Sequence, residues 1–315
     1  MTHPVLDALL EVIETDPLPS AYTSSHWQRF GRETVVERRG KRLVFRGVQF
    51  GAVYERHPAR RLLRVLERAS YRSVTNSLQS YPRVWWTATR LARECAFGLT
   101  FDIWKSAVAL SVLMDHWSAA QLSPTTVALI GDGYGFFGAL MHRLLPGARL
   151  YCMDLPKILA FQVRTHETAD PEAALSFLSA RGAGKADITF VLPQEVERVE
   201  EDIDCAVNIA SMQEMNPFTI AAYFAFLRRR STSRSRFYCV NRLSKTLPGG
   251  EGVRFHAYPW CEDDEVFIDG PCPYYTHFLS FQTPWVNAFD GMHMHRLVRL
   301  APEPPHRDNA SQHRR

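Results

Sequence analysis

Between residues 120 and 300, short and almost wholly apolar runs alternate with stretches whose apolar residues recur every three or four positions. The runs at 127–130, 149–153, 188–192, 204–210 and 236–240 read as buried strands, and residues 139–145, 157–168 and 218–229 as helices. The run at 204–210 is apolar at nearly every position, as a central parallel strand covered on both faces should be. Asp170-Pro171 is expected to open a further helix ending near residue 182. This alternation predicts an α/β, doubly wound, Rossmann-like sheet. Near the end, 275–281 and 295–300 read as extended, with no good helix between them, and should pair antiparallel.

The first 120 residues follow another pattern. Residues 4–15 are amphipathic with a proline in the first turn. Residues 20–30 are polar and aromatic, a loop or short helix. The segments 34–37 and 42–45 flank Arg38-Arg-Gly-Lys41 as a β-hairpin. Helices are expected at 60–69, 87–99 and 102–122, the last with Ile103, Ala107, Leu110, Met114 and Trp117 on one stripe. The expected organisation is a mostly helical region at 1–120, a nucleotide-binding domain at 121–302, and a proline-rich, disordered tail at 303–315. The helical region would serve as a lid, as the arm of a homodimer, or as both.

Composition narrows the class. Apolar residues are 46% and charged residues 22% of the 315, enough for a large core, and the net charge is only +4. The basic cluster at 228–236 reads as a solvated loop. Near-balanced charge, and no Asp/Asn-Pro-Pro-Tyr type motif after the fourth strand, argue against a nucleic-acid partner. The six cysteines form no CxxC pair, and Cys152, Cys205 and Cys239 fall in expected strands, where a thiol acts as a small hydrophobe. A reducing, cytoplasmic setting without disulfides or structural zinc is expected. The N-terminus shows no leader pattern and no run of apolar residues is long enough to span a membrane.

The chemistry centres on Ile130-Gly-Asp-Gly-Tyr-Gly-Phe-Phe-Gly138, followed by Asp154 at the end of the next strand. Such glycines let a tight turn bring backbone N–H groups close to a ligand, and an acid at that strand tip can hold both hydroxyls of a ribose. The order predicts an adenosine-containing cofactor. Gly133-Tyr-Gly-Phe-Phe-Gly138 also satisfies GxGxxG, so an NAD(P)-dependent oxidoreductase is an alternative. Against it stand the earlier Gly131, the terminal antiparallel pair and the lack of a second mononucleotide-binding half.

Together with Met153-Asp-Leu-Pro156, Asn208-Ile-Ala-Ser-Met-Gln-Glu-Met-Asn-Pro217 and Phe237-Tyr-Cys-Val-Asn-Arg242, this turn resembles the class I S-adenosylmethionine-dependent methyltransferases, most closely the bacterial sugar O-methyltransferases. The resemblance covers about 120–300. It implies S-adenosyl-L-methionine as cofactor, held by Gly131, Asp132, Gly133, Gly135, Asp154, Leu155 and Asn208. It also implies methyl transfer to a hydroxyl, of a sugar in a glycan or glycosylated metabolite. One position departs: enzymes of this class often carry an acid two residues before the first glycine, for the methionine amino group, and this chain has Leu129. Asp132 or a backbone carbonyl could substitute. The departure also motivates a different reading, a non-catalytic binding protein on the same scaffold.

A hydroxyl acceptor calls for a base at the carboxyl ends of the strands. Glu214, just past the fourth strand, is the first candidate; its alternative role is helix entry before Asn216-Pro217. His277 and His256 follow. Gln213, Asn241 and Arg242 are candidate substrate contacts. The tryptophans of the first part serve packing or an aromatic acceptor wall, with Trp85 in Tyr81-Pro-Arg-Val-Trp-Trp86 foremost for the wall. His293 and His295 could ligate a metal, but no carboxylate has convincing spacing, and Glu262-Asp-Asp-Glu265 reads as a solvated loop. No metal is expected.

Overall fold

In a computed structural model of the chain, the described residues are 4–15, 21–39, 42–46, 58–180 and 186–302. The expected tail at 303–315, the hairpin turn at 40–41 and the helix end near 182 lie outside them.

The first part comprises α1 (Pro4–Thr15), α2 (Ser25–Glu33), the antiparallel hairpin β1 (Val35–Arg39) and β2 (Arg42–Arg46), α3 (Pro58–Ser70), α4 (Arg72–Asn76), α5 (Tyr81–Glu94) and α6 (Phe101–Ala119). Helix α5, expected over 87–99, starts at Tyr81 with Pro82 in its first turn and ends at Glu94. Helix α6 is buried almost all round, from Ile103 and Trp104 to Leu113 and Trp117.

The second part alternates as expected: β3 (Thr126–Ile130), α7 (Phe136–Leu144), β4 (Arg149–Met153), α8 (Pro156–Ala169), β5 (Leu175–Phe177), β6 (Ile188–Val191), β7 (Cys205–Ile209), α9 (Pro217–Arg229) and β8 (Arg236–Arg242). Past β8 come the small hairpin β9 (Ser244–Thr246) and β10 (Gly252–Arg254), then β11 (Glu265–Pro271), β12 (His277–Leu279), β13 (Val286–Ala288) and β14 (His293–Arg299). The main sheet runs β5-β6-β4-β3-β7-β8-β14-β11. Strands β3 to β8 pair in parallel, and β14 runs antiparallel to both its neighbours.

Alternation along β3 divides the core. Val127 and Leu129 face one layer, with α5, α6, α7, α8 and also α1; Ala128 and Ile130 face the other, with α9. The helices of the first part thus share one apolar core with a face of the sheet.

Three expectations are corrected. Residues 170–180 turn and then form the edge strand β5 instead of a helix. Strand β14 pairs antiparallel with β11 and β8, whereas His277–Leu279 pairs with Val286–Ala288 in a separate hairpin. Strand β11 ends in Gly270 and Pro271, which an edge strand tolerates because its outer N–H groups need no partner. The basic cluster is not uniformly solvated: Arg228 grips Asp264 through both guanidinium nitrogens at 2.7 and 3.0 Å, and both Arg228 and Arg236 are buried.

Candidate functional site

The sheet reverses its winding between β3 and β7, where open α/β sheets bind ligands outside the carboxyl ends of the strands. A cavity of about 340 Å³ lies there. The Gly-rich turn forms one wall, Gly131 adopting φ +72° and Gly133 φ +59°. A Cβ on Gly131 would stand 2.1 Å from Ser211 Oγ, so both its backbone conformation and its packing against the segment after β7 require glycine.

Asp154 closes another side at the tip of β4. Its Oδ1 accepts from Leu155 N at 2.8 Å and its Oδ2 from Gln162 Nε2 at 2.9 Å. Only 8% of the residue is exposed, and desolvation pushes its carboxyl up to about 8, with the Asp132 charge adding to the shift against the hydrogen bonds. Asp132, inside the turn, accepts from Phe137 N at 3.2 Å and Gly138 N at 2.7 Å. It therefore caps the start of α7, and burial raises its carboxyl to about 7.

A second cavity, of about 150 Å³, adjoins through Trp27, which lines both. Leu155, Pro156, Ile158, Lys157 and Gln194 also line it. Helix α2 covers this region, held by polar bonds. Lys157 Nζ donates to Gly31 O at 2.7 Å and Thr34 O at 2.8 Å; Ser24 Oγ donates to Glu214 O; Asn216 Nδ2 donates to Ala21 O at 2.9 Å.

Of the remaining candidates, Glu214, Gln213 and Arg242 line the main cavity. Glu214 sits in a short 3-10 turn (Met212–Glu214), 2.8 Å from Lys245 Nζ and 3.3 Å from His26 Nε2. Burial opposes its charge, but these two partners outweigh burial and hold the carboxyl below its ordinary value. That weakens it as a proton acceptor while keeping it an ionised hydrogen-bond acceptor. Gln213 Oε1 accepts from Arg242 N at 2.8 Å, and the Arg242 guanidinium reaches Asp290 at 2.7 Å.

Others lie elsewhere. Asn208, a candidate cofactor contact, is wholly buried: Nδ2 donates to Ile130 O at 2.8 Å and Oδ1 accepts from Asn241 Nδ2 at 2.7 Å. Asn241, a candidate substrate contact, is equally buried, its Oδ1 accepting from Gln213 N at 3.0 Å. Both amides spend their hydrogen bonds within the protein, tying the ends of β3, β7 and β8 together. Gly135 is the left-handed cap of α7, packed on Gln162, and Leu155 lines the second cavity. His277 stacks on Tyr71 at 4.4 Å and bonds Ser70 Oγ at 2.8 Å, away from the cavity lining. His256 is exposed in a 3-10 turn (Phe255–Ala257). Trp85 packs on Tyr81 beneath Arg68, and the aromatic residues that line the cavity are Trp27, Tyr134, Phe136, Phe137 and Tyr275.

His293 is buried against Tyr275, at 3.7 Å between ring centroids, and His295 bonds Tyr238 at 3.1 Å. Among the described residues no three His, Cys, Asp or Glu side chains group as a metal site, and no helix is long and apolar enough to cross a membrane.

Sequence reasoning missed Asp102, Lys105 and Tyr275 in the lining. Asp102, Lys105 and Ser106 are spaced i, i+3, i+4, so they share one face of a helix otherwise sheathed in apolar residues; that polar interruption was the available signal.

The parallel sheet with one reversed strand at the end, the Gly-rich turn and the acid at the next strand tip together have the form of the Rossmann-like methyltransferase fold. No family model matches the chain, and no curated protein matches it. Among solved structures, TehB from Haemophilus influenzae is similar over 60% of this chain and 62% of its own, at 16% identity and a TM-score of 0.42. The N-methyltransferase NodS from Bradyrhizobium japonicum, solved with S-adenosyl-L-homocysteine, matches 69% of this chain and 99% of its own at 11% identity, with a TM-score of 0.39. An O-methyltransferase family 2 protein from Planctomyces limnophilus, solved with apigenin, matches 56% of this chain and 50% of its own at 11% identity, with a TM-score of 0.37.

Proposed function

We propose that the chain is an S-adenosylmethionine-dependent methyltransferase that methylates a hydroxyl, of a sugar in a glycan or glycosylated metabolite. The carrying observation is Asp154: a buried acid at the tip of β4 that lines one cavity together with the Gly-rich turn, bonded to that turn's Gly133 backbone and followed by Leu155 in the lining of a second. Its carboxylate accepts from Leu155 N, Gln162 Nε2 and the Gly133 backbone N–H, and the acceptor capacity that remains of its roughly four lone-pair sites would take a ribose hydroxyl. The second cavity, lined by Trp27, Leu155 and Ile158, suits a flat base.

The cofactor, when bound, supplies an electrophilic methyl on a sulfonium. The protein's own contribution is alignment, which can carry much of the rate. Glu214, held ionised by Lys245 and His26, would accept a hydrogen bond from the acceptor hydroxyl and orient its oxygen. The Trp27 and Tyr275 rings and the Arg242 guanidinium, all in the lining, suit a polyhydroxylated ring, with stacking on its face and donors for its oxygens. Residues 121–302 carry the cofactor elements in this reading, and 1–120 act as a lid that supplies Trp27, Asp102 and Lys105.

An oxidoreductase fits less well. Beyond β8 the sheet continues with antiparallel β14 and then β11, in place of a second mononucleotide-binding half. Titration with S-adenosylhomocysteine beside NAD⁺ and NADP⁺, then labelled methyl transfer to glycosides and to simple phenols, tests the proposal. Micromolar binding of the first ligand alone and labelling of glycosides are expected. Selective binding of a dinucleotide would overturn the cofactor, and labelling of phenols alone would overturn the acceptor.

A further inference from the structure

We infer that Asp102 and Lys105 form the clamp for the amino-acid end of the cofactor, supplying the acid that position 129 lacks; this rests on the cofactor reading above. Leu129 is 1% exposed and packs its Cδ1 towards Gly138, so no carboxylate stands at that position. The nearest substitute, Asp132, has one oxygen on Phe137 N and the other on Gly138 N, both committed to the start of α7.

Helix α6 leads directly into β3, and its first turns reach the same cavity from the side opposite the sheet interior. Asp102, Lys105 and Ser106 all line it. Lys105 Nζ lies 2.8 Å from Asp102 Oδ1 and 5.2 Å from the centre of the Tyr275 ring. The two side chains are 24% and 12% exposed, so both charges are held at the wall of the cavity and away from bulk water. Lys105 lines the same cavity as Gly131, Asp132 and Gly133 of the Gly-rich turn.

A half-buried pair of opposite charges on a cavity wall is the complement of a zwitterion. A methionine-type end carries an ammonium and a carboxylate on one carbon. The Asp102 carboxylate meets the first and the Lys105 ammonium the second, each through charge-assisted hydrogen bonds. With no ligand the two pair with one another, so neither charge is left buried alone before the cofactor arrives. The arrangement also discriminates, because a ligand lacking the amino-acid end leaves the pair facing itself and gains nothing from it.

The test compares two probes by calorimetric titration of the full chain: S-adenosylhomocysteine, and 5′-methylthioadenosine, which keeps the adenosine and sulfur but lacks the amino acid. Wild type, Lys105→Met and Asp102→Asn are titrated with both. Each variant is expected to lose at least about tenfold in affinity for S-adenosylhomocysteine. Affinity for methylthioadenosine should stay within about twofold, which also shows that the variant is folded. Equal losses for both probes would overturn the clamp in favour of a general structural role. Unchanged S-adenosylhomocysteine affinity with a raised KM for the acceptor would assign the pair to the acceptor and overturn it too. A wild type that binds neither probe would overturn the cofactor reading itself, and the clamp with it.

Discussion

Replacing Asp154 by asparagine isolates the ribose contact with little structural damage. In the wild type, Oδ1 accepts from Leu155 N and Oδ2 from Gln162 Nε2, while Gln162 Oε1 is buried without a partner. An asparagine can keep the first bond through its carbonyl. Its amide can then donate to Gln162 Oε1 once that side chain flips, which exchanges one unpartnered amide atom of Gln162 for the other and adds none. What is lost is a charged acceptor for the ribose. Hydrogen bonds to charged groups contribute about 1.5–3 kcal/mol. Losing about 2 kcal/mol weakens binding roughly thirtyfold. Because the free protein's carboxyl titrates near 8 and the ligand selects its ionised form, wild-type affinity should rise as pH goes from 6.5 towards 9. The Asp154→Asn variant should show no such rise. Calorimetric titration with S-adenosylhomocysteine across that range reads both effects. A variant within about threefold of wild type, together with a flat wild-type profile, would refute the ribose assignment.

Other expectations follow from the same contacts. Folding stability should fall as pH rises from about 6.5 to 8, because Asp132 and Asp154 carry raised values and the folded chain binds more protons there; below that window His166 and His293, which burial lowers to about 3, oppose them. Urea midpoints should show a shallower fall for Asp154→Asn, and identical slopes would count against the assignment. Asp264→Ala strands the buried Arg228 guanidinium and should cost about 3–5 kcal/mol in chemical denaturation; a loss below 1 kcal/mol would mean water reaches the pair. Glu214→Gln should lower turnover far more than S-adenosylhomocysteine affinity, and full activity would remove it from the acceptor site. Trp27→Ala should weaken S-adenosylhomocysteine by at least about tenfold while leaving the unfolding midpoint nearly unmoved; an unchanged affinity would detach the ring from the cofactor.

The parallel strands were legible because buried runs such as 204–210 have no other use, and the Gly-rich turn because its spacing serves a particular backbone path. What escaped was set by long-range packing. Strand β11 is half-exposed and carries glycine and proline, so nothing in its own composition distinguishes it from a loop. Asn208 and Asn241 looked like ligand contacts because they sit at strand tips, where a polar residue binds a ligand or its neighbour equally well. His277 sits in a hairpin that packs on α3, so its strand pattern was real while its sheet was misjudged. Lys105 and Asp102 escaped because a charged pair at a helix start usually faces solvent; only the wrapping of α6 turns it inward.

Helix α2 contains no buried residue, yet it spans the region where the two cavities meet, anchored by Lys157, Ser24 and the contacts of His26 with Glu214. Beyond Trp27 and Phe30, what lifting it would break is polar: two bonds from Lys157, one from Ser24 and the contact of His26 with Glu214. Its opening should therefore carry a small heat-capacity change, unlike the unfolding of the core beneath it. Ion pairing and hydrogen bonding set its balance, so Trp27 fluorescence should respond to salt at concentrations where the rest of the molecule is indifferent. Access to the site would then be governed by ionic strength far more than by temperature.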